Sequence, residues 1–567
     1  ISIQVDDFTQ RQFFAVPEWG AMMAGSRAWA RSRPWMVLFP AVAFFVSVTG
    51  FNLLGEGLRR LIDRGVFNTA LLLSWRVLIV VAVITAASIY VILTLGPAPS
   101  YRNLAQQVSE ADLMRHVEFL AAPEMNGRAV GSPEVQEAAE YIRDELESYD
   151  LTAPPGGWFH EVEVTLARPA TPPELVIVDA EGQPVTTFRR LDDYGESIER
   201  HGGSGTAEAP VTLVTFATSG ASRAELSQGA YAAYRGLDLR GQIAMVLSDN
   251  APPDFDTEAM IRGAEGVLIV SRDVKPRNQV LSDHYLEAPA LPVFRITPEA
   301  ADAILAGAGF DTASVAAQAQ ALNDAQSPWA AQELGTRVRM RVELEPAQEI
   351  TLHNVLGLLS GADASLADEL VIVSTHYDGL GRAPDDTLYP GANGNASGVA
   401  VMLEIARLWQ EQQFQPRRSV LFVAWAGGEL QYSGAHIFRD RGGFLMANYD
   451  LSAVIHLDRL GGVDGEGLVV RHTGGQDDLL NLLFASAGRL DVPVEPGLGL
   501  RHHYQLVFSG QHGDRVAGRH GTLIATWGDP DPALVEDTVE NIDPEHLSQA
   551  AQVVNLTLIT AAHEPQY

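Results

Sequence analysis

Four residues of this chain combine the types and spacing that metal chemistry needs. They are His376 and Asp378 in STHYDG, Glu429 in WAGGEL and Asp458 in HLDRLGG, each placed just after an apolar run. An imidazole among carboxylates suits zinc or another borderline divalent ion. Asp378, two residues past His376, shares its face of an extended segment and can orient that imidazole from behind. One such residue reads as a solvated strand end. Four at successive strand ends read as a site.

The surrounding pattern supplies the elements that would position them. ELVIVSTHYD, RRSVLFVAWAGGEL and LSAVIHLDRLGG read as buried strands with polar ends, and NASGVAVMLEIARLWQ reads as an amphipathic helix. Strands alternating with helices predict an α/β layered sheet, whose sites lie beyond the carboxyl ends of its strands. Ahead of this region, residues 166–345 read as β-rich with short helices, and residues 108–150 as helical spacing broken by a Gly/Pro loop.

The chain has 567 residues, enough for two or three domains, and a net charge of −32 from 71 acidic and 39 basic residues. That surface argues against nucleic acid as a partner. With no cysteine, disulfides, thiol nucleophiles and thiolate metal sites are excluded. Two uncharged runs, Pro34 to Gly55 and Val77 to Ser100, each approach the ~20 apolar residues of a spanning helix. They predict a transmembrane hairpin. Arg59, Arg60, Arg64 and Arg76 between them point to a cytoplasmic connection, which leaves everything after residue 100 outside the cytoplasm.

Several motifs in order carry a resemblance. EMNGRAVGSPEVQEAAEYI, THYDG, PGANGNASGVAVMLEIAR, LFVAWAGGEL, LDRLGG and EDTVENIDPEHL resemble the di-zinc exopeptidases of the bacterial leucyl aminopeptidase and glutamate carboxypeptidase type. GLDLRGQIAMVL, GAEGVLIV and LPVFRITPEAADAIL resemble the protease-associated domain often inserted in that family. The resemblance implies a three-layer, mixed-sheet α/β domain over residues 101–165 and 346–567, with a β-rich insert at 166–345. It implies that His376 and Asp458 are ligands of the first metal, Glu429 a ligand of the second, and Asp378 the carboxylate behind His376. The remaining family positions carry no donor. The bridging aspartate falls at Gly394, the general base at Gly428 and the second metal's histidine at Ala533; the family's SDH-type loop reads SGQ at Ser509 to Gln511. The set left is vestigial, so no resident cofactor is expected, with zinc at low occupancy the one candidate. Restoring Gly394→Asp, Gly428→Glu and Ala533→His together is the change expected to recover zinc. Substitute ligands, if any, are His502, His503, His512, Asp514, Asp529 and Asp531.

Roughly the first 64 residues, with residues 1–33 as the external segment and FNLLGEGLR after a helix opened by PW, resemble the last external loop and last helix of dipeptide and oligopeptide ABC-transporter permeases. The chain opens on Ile1, and the expectation is that it is the tail of a longer polypeptide. Three functional expectations follow. The leading one is a pseudoenzyme in the bacterial cytoplasmic membrane, its exopeptidase-like domain extracytoplasmic and without activity, with peptides or ABC-transporter subunits as partners. The second is an active zinc aminopeptidase or carboxypeptidase with rearranged ligands. The third is a full permease bearing this domain as an appendage.

Overall fold

The computed structural model describes residues 97–198, 202–217, 234, 236–248, 251–252, 255–272, 274, 279–280, 290–325, 327–441, 448–473, 477–497, 521–528 and 536–564. The predicted segments 1–33 and 34–96, with both uncharged runs up to residue 96, lie outside the described residues. Among the described residues, no helix is long and apolar enough to cross a membrane.

A nine-stranded mixed sheet organises the chain. Its strands are β1 (Phe159–Leu166), β2 (Gln279–Val280), β3 (Gln348–Leu359), β4 (Glu369–His376), β5 (Ser419–Trp425), β6 (Asp450–Leu457), β7 (Leu468–Thr473), β8 (Val494–Pro496) and β9 (Thr522–Trp527). Their spatial order is β8-β7-β9-β6-β4-β5-β3-β1-β2. β5, β4, β6 and β9 run parallel at the centre. β3 pairs antiparallel with β5, and β7 antiparallel with β9. All of β5 is buried, and so is every residue of β4 and β6 except the first. Unbroken apolar runs such as VLFVAW and LVIV form such strands because both faces are covered.

The cover comes from helices α1 (Glu110–Leu120), α2 (Pro133–Ser148), α3 (Ser397–Glu411), α4 (Ser433–Arg441), α5 (Asp478–Leu490) and α6 (Pro544–His563). Their starts are legible locally. Ser109, Ser132 and Asp543 each accept a first-turn N–H with the side chain, and Pro133 and Pro544 open α2 and α6. α3 buries Val399, Met402, Leu403 and Trp409, and the Trp409 indole donates to Asn555 of α6 at 2.8 Å.

A short helix, Pro97–Ala105, precedes α1 and packs against α6. The Tyr101 hydroxyl donates to Glu564 at 3.1 Å, and its ring meets His563 edge-on at 5.9 Å. Arg418, one residue before β5, donates to the carbonyls of Ala561 and Glu564 and to the Glu369 carboxylate at 2.7 Å. The helix therefore sits at the end of the sheet where β4 and β5 begin.

Between β1 and β3 the chain builds a second, eight-stranded sheet. Its long strand Trp329–Val342 pairs with Glu174–Val178 on one side and Gly205–Phe216 on the other. Its core centres on Val211, Ile243, Met245, Leu268 and Phe294. Leu191 of this unit packs on Tyr389, immediately ahead of the PGANGNASG loop.

Candidate active site

The parallel strands β6, β4 and β5 end side by side, with His376 in register with Trp425. His376 closes β4, Asp378 follows by two residues, Glu429 lies four past the end of β5, and Asp458 follows β6 directly. Three of the four are nearly sealed: Asp378 is 0% exposed, His376 3% and Asp458 4%. The structure places all four at one end of the sheet. It also brings Gly394 and Gly428 there, whereas Ala533, Ser509–Gln511, His502, His503, His512, Asp514, Asp529 and Asp531 lie outside the described residues.

His376 has a carboxylate facing each ring nitrogen. Nδ1 donates to the Asp378 carbonyl at 3.2 Å and lies 3.7 Å from its carboxylate; Nε2 lies 3.8 Å from Asp458 Oδ1. Tyr432 stands edge-on between the rings of His376 and His456, at 5.6 and 5.2 Å. Burial alone would push this imidazole's pKa down. The interactions with Asp378 and Asp458 outweigh burial and raise it to about 9, so the ring is a cation at neutral pH. Asp378 is held below the usual carboxylate range despite its burial, because His376 and two backbone N–H groups stabilise its charge. Those donors are Gly428 N at 2.7 Å and Glu429 N at 2.9 Å.

The space at Gly428 is already taken. A Cβ there would fall 2.3 Å from His376 Cγ and 2.4 Å from both its Cβ and Nδ1. Gly394 differs: a Cβ would meet Asp537 Oδ2 at 3.2 Å and Arg459 Nε at 3.6 Å. The loop holding Gly394 is pinned from several directions. Asn393 N and Gly394 N donate to Asp537 at 2.5 and 2.9 Å. Asn395 Nδ2 donates to Thr375 Oγ1 at 2.7 Å and to the Leu457 carbonyl at 2.9 Å, while its Oδ1 accepts from Arg459 N at 2.9 Å. One buried amide thus ties β4, β6 and the start of α3 together.

Arg128, fully buried, donates to the carbonyls of Tyr377 (2.9 Å), Pro390 (3.0 Å), Gly391 (2.9 Å) and Leu120. Burial pushes its guanidinium down to about 10. Arg459 follows Asp458 and lies 4.0 Å from it. Burial works against its charge, but Asp458, Glu429 and Asp537 hold its pKa above the ordinary value. Sequence reasoning missed Arg128, Asn395, Asp537 and Arg459. All four lie inside recognised motifs: Arg128 in EMNGRAVG, Asn395 in PGANGNASG, Asp537 in EDT and Arg459 in LDRLGG.

These residues do not fit a zinc pair. Among the described residues no group of three or more His, Asp or Glu side chains is placed to hold a metal. The positions that the resemblance gives to the bridging carboxylate and the general base carry no donor, at Gly394 and Gly428.

Residues 354–498 match Peptidase family M28. The M28-like region holds β4, β5, β6 and the loops that carry His376, Glu429 and Asp458. The chain superposes on an aminopeptidase from Aneurinibacillus sp. strain AM-1 with a TM-score of 0.56 and 19% identity, over 82% of this chain and 97% of that one. The fold is accordingly the mixed α/β aminopeptidase-like fold. The chain is 32% identical over 119 residues to a probable zinc metalloprotease of Pyrenophora teres f. teres, covering 21% of this chain and 24% of that protein. It is 48% identical over 48 residues to the dipeptide transport system permease protein DppC of Alkalihalophilus pseudofirmus, covering 8% and 16%. The chain thus spans less than a quarter of the length of these curated relatives.

Proposed function

We propose that this chain is a membrane-held, extracytoplasmic protein whose M28-like domain does not hydrolyse peptides. It binds them, or serves as an accessory subunit of a peptide ABC transporter, with the β-rich unit as a protease-associated-like cap. Gly428 carries the reading. The position of the general base offers no proton acceptor, and the His376 ring fills the volume such a side chain would need. The two uncharged runs and the likeness to a dipeptide permease support the membrane and transport part.

An active zinc exopeptidase with rearranged ligands is the competing reading. One observation favours it: His376 keeps Asp378 behind Nδ1 and Asp458 before Nε2, an orientation that serves zinc chemistry once the ring is neutral. Elemental mass spectrometry of the purified chain, with amino-acid release from a peptide mixture, separates the two. The proposal expects metal well below one equivalent and no release. Stoichiometric zinc with chelator-sensitive release would overturn it.

A further inference from the structure

The pocket at the ends of β4, β5 and β6 collects four carboxylates: Asp378, Glu429, Asp458 and Asp537. A metal pair would ordinarily neutralise such a set, and here the residues present do not fit one. We infer that the Arg459 guanidinium is the resident cation of this pocket, standing where a divalent ion would otherwise hold Asp458, Glu429 and Asp537 together. The inference rests on the non-hydrolytic reading above.

Position is the first argument. A side chain on Gly394, the position the resemblance gives to the bridge, would lie in ordinary contact with Arg459 Nε at 3.6 Å and Nη2 at 3.9 Å. The guanidinium therefore lies beside the point where two ions would be bridged. Aim is the second. Arg459 takes a left-handed backbone, φ 54°, which an unbranched L-residue adopts only when its surroundings enforce it. They do so here: its N–H donates to Asn395 Oδ1 at 2.9 Å, and its carbonyl accepts from Trp527 N at 3.0 Å. Both hydrogen bonds fix the turn that directs the side chain back over the pocket. Charge is the third: Arg459, 4.0 Å from Asp458, and the buried Arg128 are permanent guanidinium cations that offset part of the carboxylates' charge without any ion.

A covalently attached cation differs from zinc in two ways that matter. It cannot be removed by a chelator, and it has no vacant orbital with which to polarise a carbonyl or acidify water. The pocket keeps a metal site's electrostatic cohesion and loses its reactivity.

The test uses the full chain in detergent, with Arg459→Met and Arg459→Lys beside it. Zinc chloride alone is the probe, read by titration calorimetry and by thermal unfolding with and without EDTA. The wild type is expected to melt at one temperature regardless of EDTA or zinc. Arg459→Met is expected to melt lower, to bind zinc at least tenfold more tightly than the wild type, and to regain part of its melting temperature with zinc. Arg459→Lys, which keeps the charge, is expected to stay indifferent to EDTA. If Arg459→Met does not accumulate, the lysine variant decides: a folded, EDTA-indifferent protein supports the inference, and loss of that variant too overturns it. A metal-free wild type together with an Arg459→Met variant that neither melts lower nor gains zinc affinity overturns the inference and leaves the non-hydrolytic reading standing. A wild type that carries stoichiometric zinc and melts lower in EDTA overturns both.

Discussion

Gly428 and Gly394 stand where the resemblance would put a carboxylate, yet alanine should behave very differently at the two. At Gly428 the new methyl would lie 2.3–2.4 Å from three atoms of His376, more than 1 Å inside ordinary contact. One of those atoms is the His376 Cβ, fixed to a β4 backbone whose last seven residues are buried, so no side-chain rotation relieves the overlap. The 427–429 turn must move instead. Moving it weakens the two N–H donors to Asp378, which stand at 2.7 and 2.9 Å. Overpacking costs about 1–3 kcal/mol, and a hydrogen bond to a charged group contributes about 1.5–3 kcal/mol. Together the loss is roughly 3–6 kcal/mol, a fall in Tm of about 5–10 °C for a cooperative unit of roughly 290 residues. At Gly394, φ is −116°, an ordinary value, and the nearest atom is Asp537 Oδ2 at 3.2 Å. There the cost should stay under about 1 kcal/mol. Thermal unfolding of Gly428→Ala and Gly394→Ala by near-UV circular dichroism measures both. Equal Tm values for the two variants would refute the claim that the imidazole has taken over the base's place.

The same overlap means that a variant carrying Gly394→Asp, Gly428→Glu and Ala533→His together should not gain hydrolysis; turnover of any peptide by that variant would contradict it. His116 is buried against Tyr141, and burial with the neighbouring Arg115 charge lowers its pKa to about 4. Its unfolded value is higher, near 6.5, so its contribution is present above pH 6.5 and is lost as pH falls towards 4; an acid limb of about 3 kcal/mol, absent in His116→Phe, is expected in urea titrations. His376 has the opposite sign. Its folded pKa lies above the unfolded one, so its contribution is complete below pH 6.5 and disappears as pH rises through about 9, and His376→Gln should flatten that alkaline limb. Arg128→Met would remove the donor shared by the carbonyls of Leu120, Tyr377, Pro390 and Gly391 and should cost at least about 3 kcal/mol by the same titration.

The central strands and their polar ends were legible because burial on both faces leaves an unbroken apolar run. Where such a run stops, a histidine or carboxylate stands out, as His376 and Asp458 do. The cations were not legible. Arg128 donates only to main-chain carbonyls, one of them in residue 391, and carbonyls leave no signature in side-chain type. Arg459 reads as an exposed residue after a strand, and only the left-handed turn that Asn395 fixes directs it inward. Gly428 tells a similar story. Its letter shows the absence of a side chain, but not that a ring from another strand lies where a Cβ would go. In the β-rich unit the strands could be read one by one. Their order could not, because Trp329–Val342 pairs with partners more than a hundred residues earlier.

The helix Pro97–Ala105 has one more consequence. The uncharged run ends at Ser100, inside a helix that Tyr101 already fastens to the end of α6. Any pull on the chain ahead of residue 97 is therefore delivered through Tyr101 to α6 and, by way of Arg418, to the edge where β4 and β5 begin.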